Sequence, residues 1–97
     1  MIVRYRKDDN YPPSQLIGFL EEHVNGISEL SCEETLQDSD IALICETLRV
    51  PQASLQTLRL PRNGISIRGA ESIARLLCTN QTISKLDLRH NQLGPTG

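Results

Sequence analysis

The chain has 97 residues, with ten Lys and Arg against twelve Asp and Glu for a formal charge of −2, which is room for one small domain or part of a larger one. An apolar share of 38% with 23% charged residues excludes a collagen, a mucin and a disordered polyelectrolyte. One Phe, two Tyr and no Trp leave few stacking platforms for single-stranded nucleic acid, and the acidic balance disfavours a phosphate-backbone partner.

At the N-terminus, Met1 to Asn10 lacks the apolar centre of a signal peptide, and Met1 to Arg6 is expected to add a short edge strand. Tyr11-Pro12-Pro13-Ser14 opens a helix near 14–24, with Ser14 as N-cap and Leu16, Ile17, Leu20 and Val24 as its apolar stripe. Asn25-Gly26 ends it, and the helix reads as a cap on whatever follows. Strands are then expected near 28–32, 56–60 and 84–88, alternating with helices near 40–49 and 69–78. In the middle strand, alternation sends Leu58 and Leu60 to one face and Thr57, Arg59 and Pro61 to the other. The following helix collects Ala70, Ile73, Ala74 and Leu77 on one side to cover the sheet, with small Gly69 and Ala70 permitting close approach. No run approaches the roughly 20 apolar residues of a membrane span.

A fixed period ties these elements together. Leu55, Leu58, Leu60, Asn63, Ile65 and Gly69 recur as Ile83, Leu86, Leu88, Asn91, Leu93 and Gly97, every member moved on by one and the same interval. One period earlier stand Ile27, Leu30 and Cys32, but Thr35 replaces the Asn, and the closing apolar residue is Leu36 or absent. The helical positions Ile41, Ile44 and Leu48 match Ala70, Ile73 and Leu77 only when that interval is lengthened by one position, so the unit length is adjusted between strand and helix. Asn63 and Asn91 are placed where their amides can satisfy backbone groups at successive strand ends, forming a ladder.

These residues resemble the ribonuclease-inhibitor class of leucine-rich repeats, whose units of about 28 to 29 residues run strand, turn and α-helix. The resemblance covers 27–97, about two and a half units, and leaves 1–26 as an N-terminal arm and capping helix. It implies an α/β fold: a short right-handed β-α horseshoe, an open solenoid with a parallel sheet on its concave face and helices on the convex one. It is nearly silent about function, since the class includes nuclease inhibitors, immune-receptor sensor regions, Ran GTPase-activating proteins and axonemal or actin-regulating scaffolds.

Parallel stacking would set Glu29, Thr57 and Lys85 in one row and Ser31, Arg59 and Asp87 in a second. Glu33, Pro61 and Arg89 form a third, and Glu34, Arg62 and His90 a fourth. With strands about 4.8 Å apart, Arg59 can meet Asp87 and Glu34 can meet Arg62. The charges can therefore simply pair and solvate the face, or form a mixed-charge surface for a protein partner. Beyond Leu93 the pattern stops where a third repeat helix would begin, leaving Ile83, Leu86, Leu88 and Leu93 uncovered. At about 1.5 to 3 kcal/mol per side chain, such unrealised burial points to a fragment of a longer array or to another chain covering the open end.

No catalytic group is expected. His23 and His90 fall on different elements, and no Ser or Cys nucleophile is aimed at the Asp87–His90 neighbourhood. Cys32, Cys45 and Cys78 form an odd set without CxxC or metal-ligand spacing, so they are expected as small core hydrophobes in a reducing, cytoplasmic location, with no metal or cofactor. The expected function is a non-catalytic protein-interaction scaffold, with no role for nucleic acid or membrane. A permanently docked structural subunit and a Ran-type GTPase activator are the alternatives.

Overall fold

A computed structural model describes residues 1–6, 12–33, 36–51 and 53–91. Four strands alternate with three helices: β1 (Ile2–Arg6), α1 (Pro13–His23), β2 (Glu29–Glu33), α2 (Asp38–Leu48), β3 (Thr57–Arg59), α3 (Ile67–Thr79) and β4 (Lys85–Asp87). The strands form one sheet in chain order, and every pairing is parallel. A parallel pair needs a crossover, and each helix supplies one. The helices also pack in chain order, α1 on α2 and α2 on α3. This is the parallel α/β architecture that the period implied.

The register reproduces the period. Leu30 pairs with Leu58 and Leu58 with Leu86, the same displacement at each step. Backbone contacts repeat with it: the amides of Ser28, Gln56 and Ser84 donate to Met1, Ser28 and Gln56, each at 2.8 Å. Side chains repeat as well, since the Ser54 hydroxyl donates to the Ile27 carbonyl and the Thr82 hydroxyl to that of Leu55, 3.4 and 2.6 Å away. The change of length between strand and helix is also visible, because the N-caps Gln37 and Ser66 stand one position further apart than the paired leucines do.

The N-terminal segment joins this scheme. β1 pairs with β2 over five positions, Ile2 with Glu29 through Arg6 with Glu33, and buries Val3 and Tyr5 against the core. Strand and helix of residues 1–26 thus fill the same places in sheet and helix layer as later units, where the sequence pattern had shown no repeat counterpart. Helix α1 begins one residue earlier than expected. Its N-cap is Pro12, with Pro13 as first helical residue, and Ser14 lies inside the helix. Proline suits that first position because its missing N–H would have no intrahelical partner there.

The core lies between sheet and helices. Leu30, Cys32, Leu58 and Leu60 point inward from the strands and meet Leu16, Leu20, Ile41, Ile44, Leu48, Ile73 and Leu76 from the helices. Fully burying one such Leu or Ile contributes about 1.5 to 3 kcal/mol, so this layer carries the fold. Two expectations about it are corrected. In α3 the buried residues are Gly69, Ile73 and Leu76, whereas Leu77 is 38% exposed and Ala74 is exposed. At about 100° per residue, Ala70, Ala74 and Leu77 lie on a flank of α3 beside its buried side, half-buried at Ala70 and exposed at Ala74 and Leu77. Cys78, one step further round, is exposed as well, while Cys32 and Cys45 are buried.

The start of α3 approaches the start of α2 closely. A Cβ at Gly69 would stand 2.6 Å from Asp38 Oδ1 and from Ile65 Cγ2, so only glycine fits this contact. Asp38 in turn accepts from the Ser66 amide at 3.1 Å and from the Ser66 hydroxyl. Those bonds, the hydroxyl first, hold the Asp38 carboxyl below its ordinary range. At the head of α2, the Gln37 amide donates to Asp40 Oδ2 at 3.0 Å as part of a capping box.

Candidate interaction surface

On a strand half-buried against helices, every second side chain must face outward, and stacking turns these into rows. The register aligns Ile2, Glu29, Thr57 and Lys85, and beside them Arg4, Ser31, Arg59 and Asp87. Arg6 stands opposite Glu33. Exposed or half-buried residues alternate with buried ones in β1, β2 and β3, so the face is open along its length. Glu34 lies outside the described residues, as do Thr35 and Leu93.

The outward charges interlock. Arg59 reaches across both neighbouring strands, with Nε 3.8 Å from Glu29 Oε2 and Nη1 3.8 Å from Asp87 Oδ2. Arg62 Nη1 lies 3.8 Å from Glu33 Oε2. The tightest contact was not anticipated. Arg89 grips Asp87 through Nε at 3.0 Å from Oδ1 and Nη2 at 3.0 Å from Oδ2, while its own amide donates to Oδ1 at 3.1 Å. Arg89 follows the end of β4 by two residues, and continuing the strand's alternation to it was the available signal. The Arg89 hydrogen bonds are the main reason the Asp87 carboxyl is held below its ordinary range. These pairs are solvent-exposed on the Arg side and therefore fix geometry more than stability.

Below the rim of this face run the two asparagines. Asn63 is only 8% exposed; its Oδ1 accepts from the Leu36 amide at 3.1 Å and its Nδ2 donates to the Cys32 carbonyl at 2.9 Å. One unit on, Asn91 Oδ1 accepts from the amides of Asn63 and Ile65 at 2.9 and 3.0 Å, and Nδ2 donates to the Leu60 carbonyl at 2.7 Å. The residues just before them, Arg62 and His90, take left-handed backbone angles of φ 57° and 61°. That conformation costs a non-glycine residue some strain, and here it turns the chain from strand to loop at the same point of each unit. His23 lies elsewhere, on α1, with its ring 4.4 Å from that of Phe19.

At the β4 edge, Leu86 is 40% exposed, and Ile83 and Leu88 are partly buried against the core. Burial pushes the thiols of Cys32 and Cys45 up to about 12, which leaves them protonated and inert. Among the described residues no group of three His, Cys, Asp or Glu side chains could hold a metal ion, and no helix is long and apolar enough to cross a membrane.

The repeating register, the recurrent backbone bonds and the stacked asparagines describe a repeat protein, and residues 79–97 match the family described as "Leucine Rich repeat". This chain is a leucine-rich repeat protein. Among its relatives is "NACHT, LRR and PYD domains-containing protein 3" of Homo sapiens, 38% identical over 65 residues, which are 67% of this chain and 6% of that protein. Protein 5 of the same naming series, from Bos taurus, is 34% identical over 62 residues, 64% of this chain and 6% of that protein. Protein 12 of Homo sapiens is 39% identical over 69 residues, 71% and 6% of the two chains. This leucine-rich repeat chain spans about 6% of the length of the curated relatives it matches.

Proposed function

We propose that the repeat stack is a non-catalytic protein-binding module whose strand face holds the partner. One observation carries the reading: four parallel strands present straight rows of exposed or half-buried side chains, polar apart from Ile2, that the chain's own helices do not cover. A rigid stack of this kind offers a preformed surface, so little ordering entropy opposes binding. Units of strand, turn and full α-helix in about 28 to 29 residues support the ribonuclease-inhibitor-like subclass. In this reading residues 1–26 are an N-terminal arm and helix that continue the stack, and 27–97 carry the repeats. Two buried free thiols support a reducing, cytoplasmic location.

A second contact is favoured by the apolar flank of α3 together with Leu86, where a further repeat unit, in the same or another chain, would continue the register and bury Leu77. That reading accommodates a docked structural subunit as well as a longer array.

The test is selection of binders from a randomised peptide library on the intact chain, followed by charge reversal at Arg59 and Arg62. Salt-dependent loss of binding with an unchanged circular dichroism spectrum is the expected outcome. Binding that survives this variant would move the functional surface to the helical side. Binding lost only in Leu86→Asp, with the fold intact, would move it to the β4 edge.

A further inference from the structure

Helices α1 and α2 run in the same direction, because each crosses between parallel strands, and they pack side by side. On the outward side of that seam lies a groove of about 420 Å³. Its α1 wall is Ile17 and Glu21, with Val24 at the C-cap. Its α2 wall is Leu43, Glu46 and Thr47, with Val50 just beyond the helix. Leu43 is 54% exposed, since α2 turns Ile41, Ile44, Cys45 and Leu48 to the core instead. One exposed leucine on a helix is ordinary, but this one shares a groove with Ile17, Val24 and Val50.

The molecule contains its own control. Aligning the helices on their N-caps Pro12, Gln37 and Ser66 carries this groove onto the seam between α2 and α3. There Ala42 stands for Ile17, Arg49 for Val24, Ser72 for Leu43 and Thr79 for Val50. The helices pack at that seam too, so stacking does not require the four apolar side chains. Charge divides the same way. The charged groups lining the first groove are Glu21 and Glu46, whereas their equivalents at the second seam are Glu46 and Arg75. Among the described residues Glu21 has no ion-pair partner. The other charged groups on these halves of α1 and α2 are Glu22, 3.9 Å from His23, and Arg49, whose Nη1 meets Glu46 Oε1 at 3.1 Å.

We propose that this groove is a second docking site, separate from the strand face, and that its occupant is a helix of a partner protein. The helix sets apolar side chains between Ile17, Leu43 and Val50 and places Lys or Arg against Glu21 and Glu46. A helix fits because side chains three and four residues apart line one of its faces, and this groove runs lengthwise between two helices. From Ile17 to Val24, and from Leu43 to Val50, the walls extend about 10 Å at 1.5 Å per residue, which is roughly two turns of such a partner. The two carboxylates select basic flanks, and they would repel an anionic lipid surface.

The experiment titrates the full chain against two labelled helical dodecapeptides and against vesicles of anionic phospholipid. Both peptides carry leucines three and four residues apart, flanked by Lys in one and by Glu in the other. Fluorescence anisotropy gives affinity, and methyl resonances give the location. The Lys peptide should bind, weaken with rising salt, and shift the methyl groups of Ile17, Val24, Leu43 and Val50. Leu43→Ser installs the residue that α3 carries at the equivalent position and should weaken binding about tenfold with an unchanged circular dichroism spectrum. Glu21→Lys should weaken it as well at low salt, and it serves as the second variant if Leu43→Ser alters the spectrum. Ser72→Ala, at the other seam, should leave binding unchanged. Affinity unmoved by both groove variants overturns the site. Equal binding of the Glu peptide overturns the basic partner, and tighter binding of vesicles with the same methyl shifts overturns the protein helix. Shifts confined to β1, β2, β3 and β4 overturn the groove and leave the strand-face reading standing. No binding of the Lys peptide at low salt also overturns the proposal.

Discussion

Replacing Asn63 with Ala removes two side-chain hydrogen bonds among the described residues without touching the strand face. The Leu36 amide loses its acceptor at 3.1 Å and the Cys32 carbonyl its donor at 2.9 Å, in a position only 8% exposed. Leaving a buried polar group unpaired costs about 1 to 3 kcal/mol, so the two together place the loss at about 2 to 6 kcal/mol. A domain's net stability is about 5 to 15 kcal/mol, so the loss is a large share of it. In urea, a slope of about 1 to 1.5 kcal/mol/M for so small a chain turns even the lower end of this loss, about 2 kcal/mol, into a midpoint lower by about 1.3 to 2 M. Far-ultraviolet circular dichroism follows the transition, and amide hydrogen exchange reports Leu36 directly. Asn63→Asp separates the two bonds, because its carboxylate still accepts from Leu36 but offers Cys32 no donor. A midpoint for Asn63→Ala within error of the exposed-loop control Gln81→Ala would refute the role given to this side chain.

Gly69→Ala should destabilise by about 1 to 3 kcal/mol although alanine is the better helix former, because the new methyl group meets Asp38 and Ile65 in a packed seam; a thermal midpoint above wild type would contradict the contact. Asp38 and Asp87 both have folded-state pKa values lowered from 3.8, so the stability they add is present above that value and is lost as pH falls through the lowered ones. Ser66→Ala should therefore flatten the acid side of the stability profile, and an unchanged acid limb would reject the Asp38–Ser66 linkage. A thiol reagent should modify Cys78 alone in the native chain and all three cysteines in denaturant; rapid native reaction of a second thiol would show that Cys32 or Cys45 is less protected than the packing indicates.

The strand positions were legible because the leucines that build the core are also the residues that repeat, and a parallel stack converts their period directly into register. Arg4 and Arg6 escaped notice for a related reason. β1 presents Val3 and Tyr5 inward, without the leucines and asparagine that mark later units, although the alternation in Ile2 to Arg6 was there to be read. The buried side of α3 was misjudged by one residue because Leu76 and Leu77 are adjacent, and the close approach of Gly69 to Asp38 decides which of them turns inward. The Asp38–Ser66 bond joins groups a whole unit apart on different helices, and no local pattern announces it. The rows on β2, β3 and β4 could be listed residue by residue from the period, but the share of β1 in the face required knowing that it belongs to the sheet.

Since each helix packs on the one before it and each strand pairs with its neighbours in chain order, the molecule has no contact set that requires a particular number of units. Inserting or deleting a whole period would move every residue beyond it by one place in the stack while keeping its partners' identities. An insertion of odd length within a strand would instead turn the side chains beyond it from core to face, exchanging leucine for arginine at the sheet. Such a chain can therefore lengthen its outward rows in steps of one unit, changing how long a partner it accommodates without redesigning the interior that supports them.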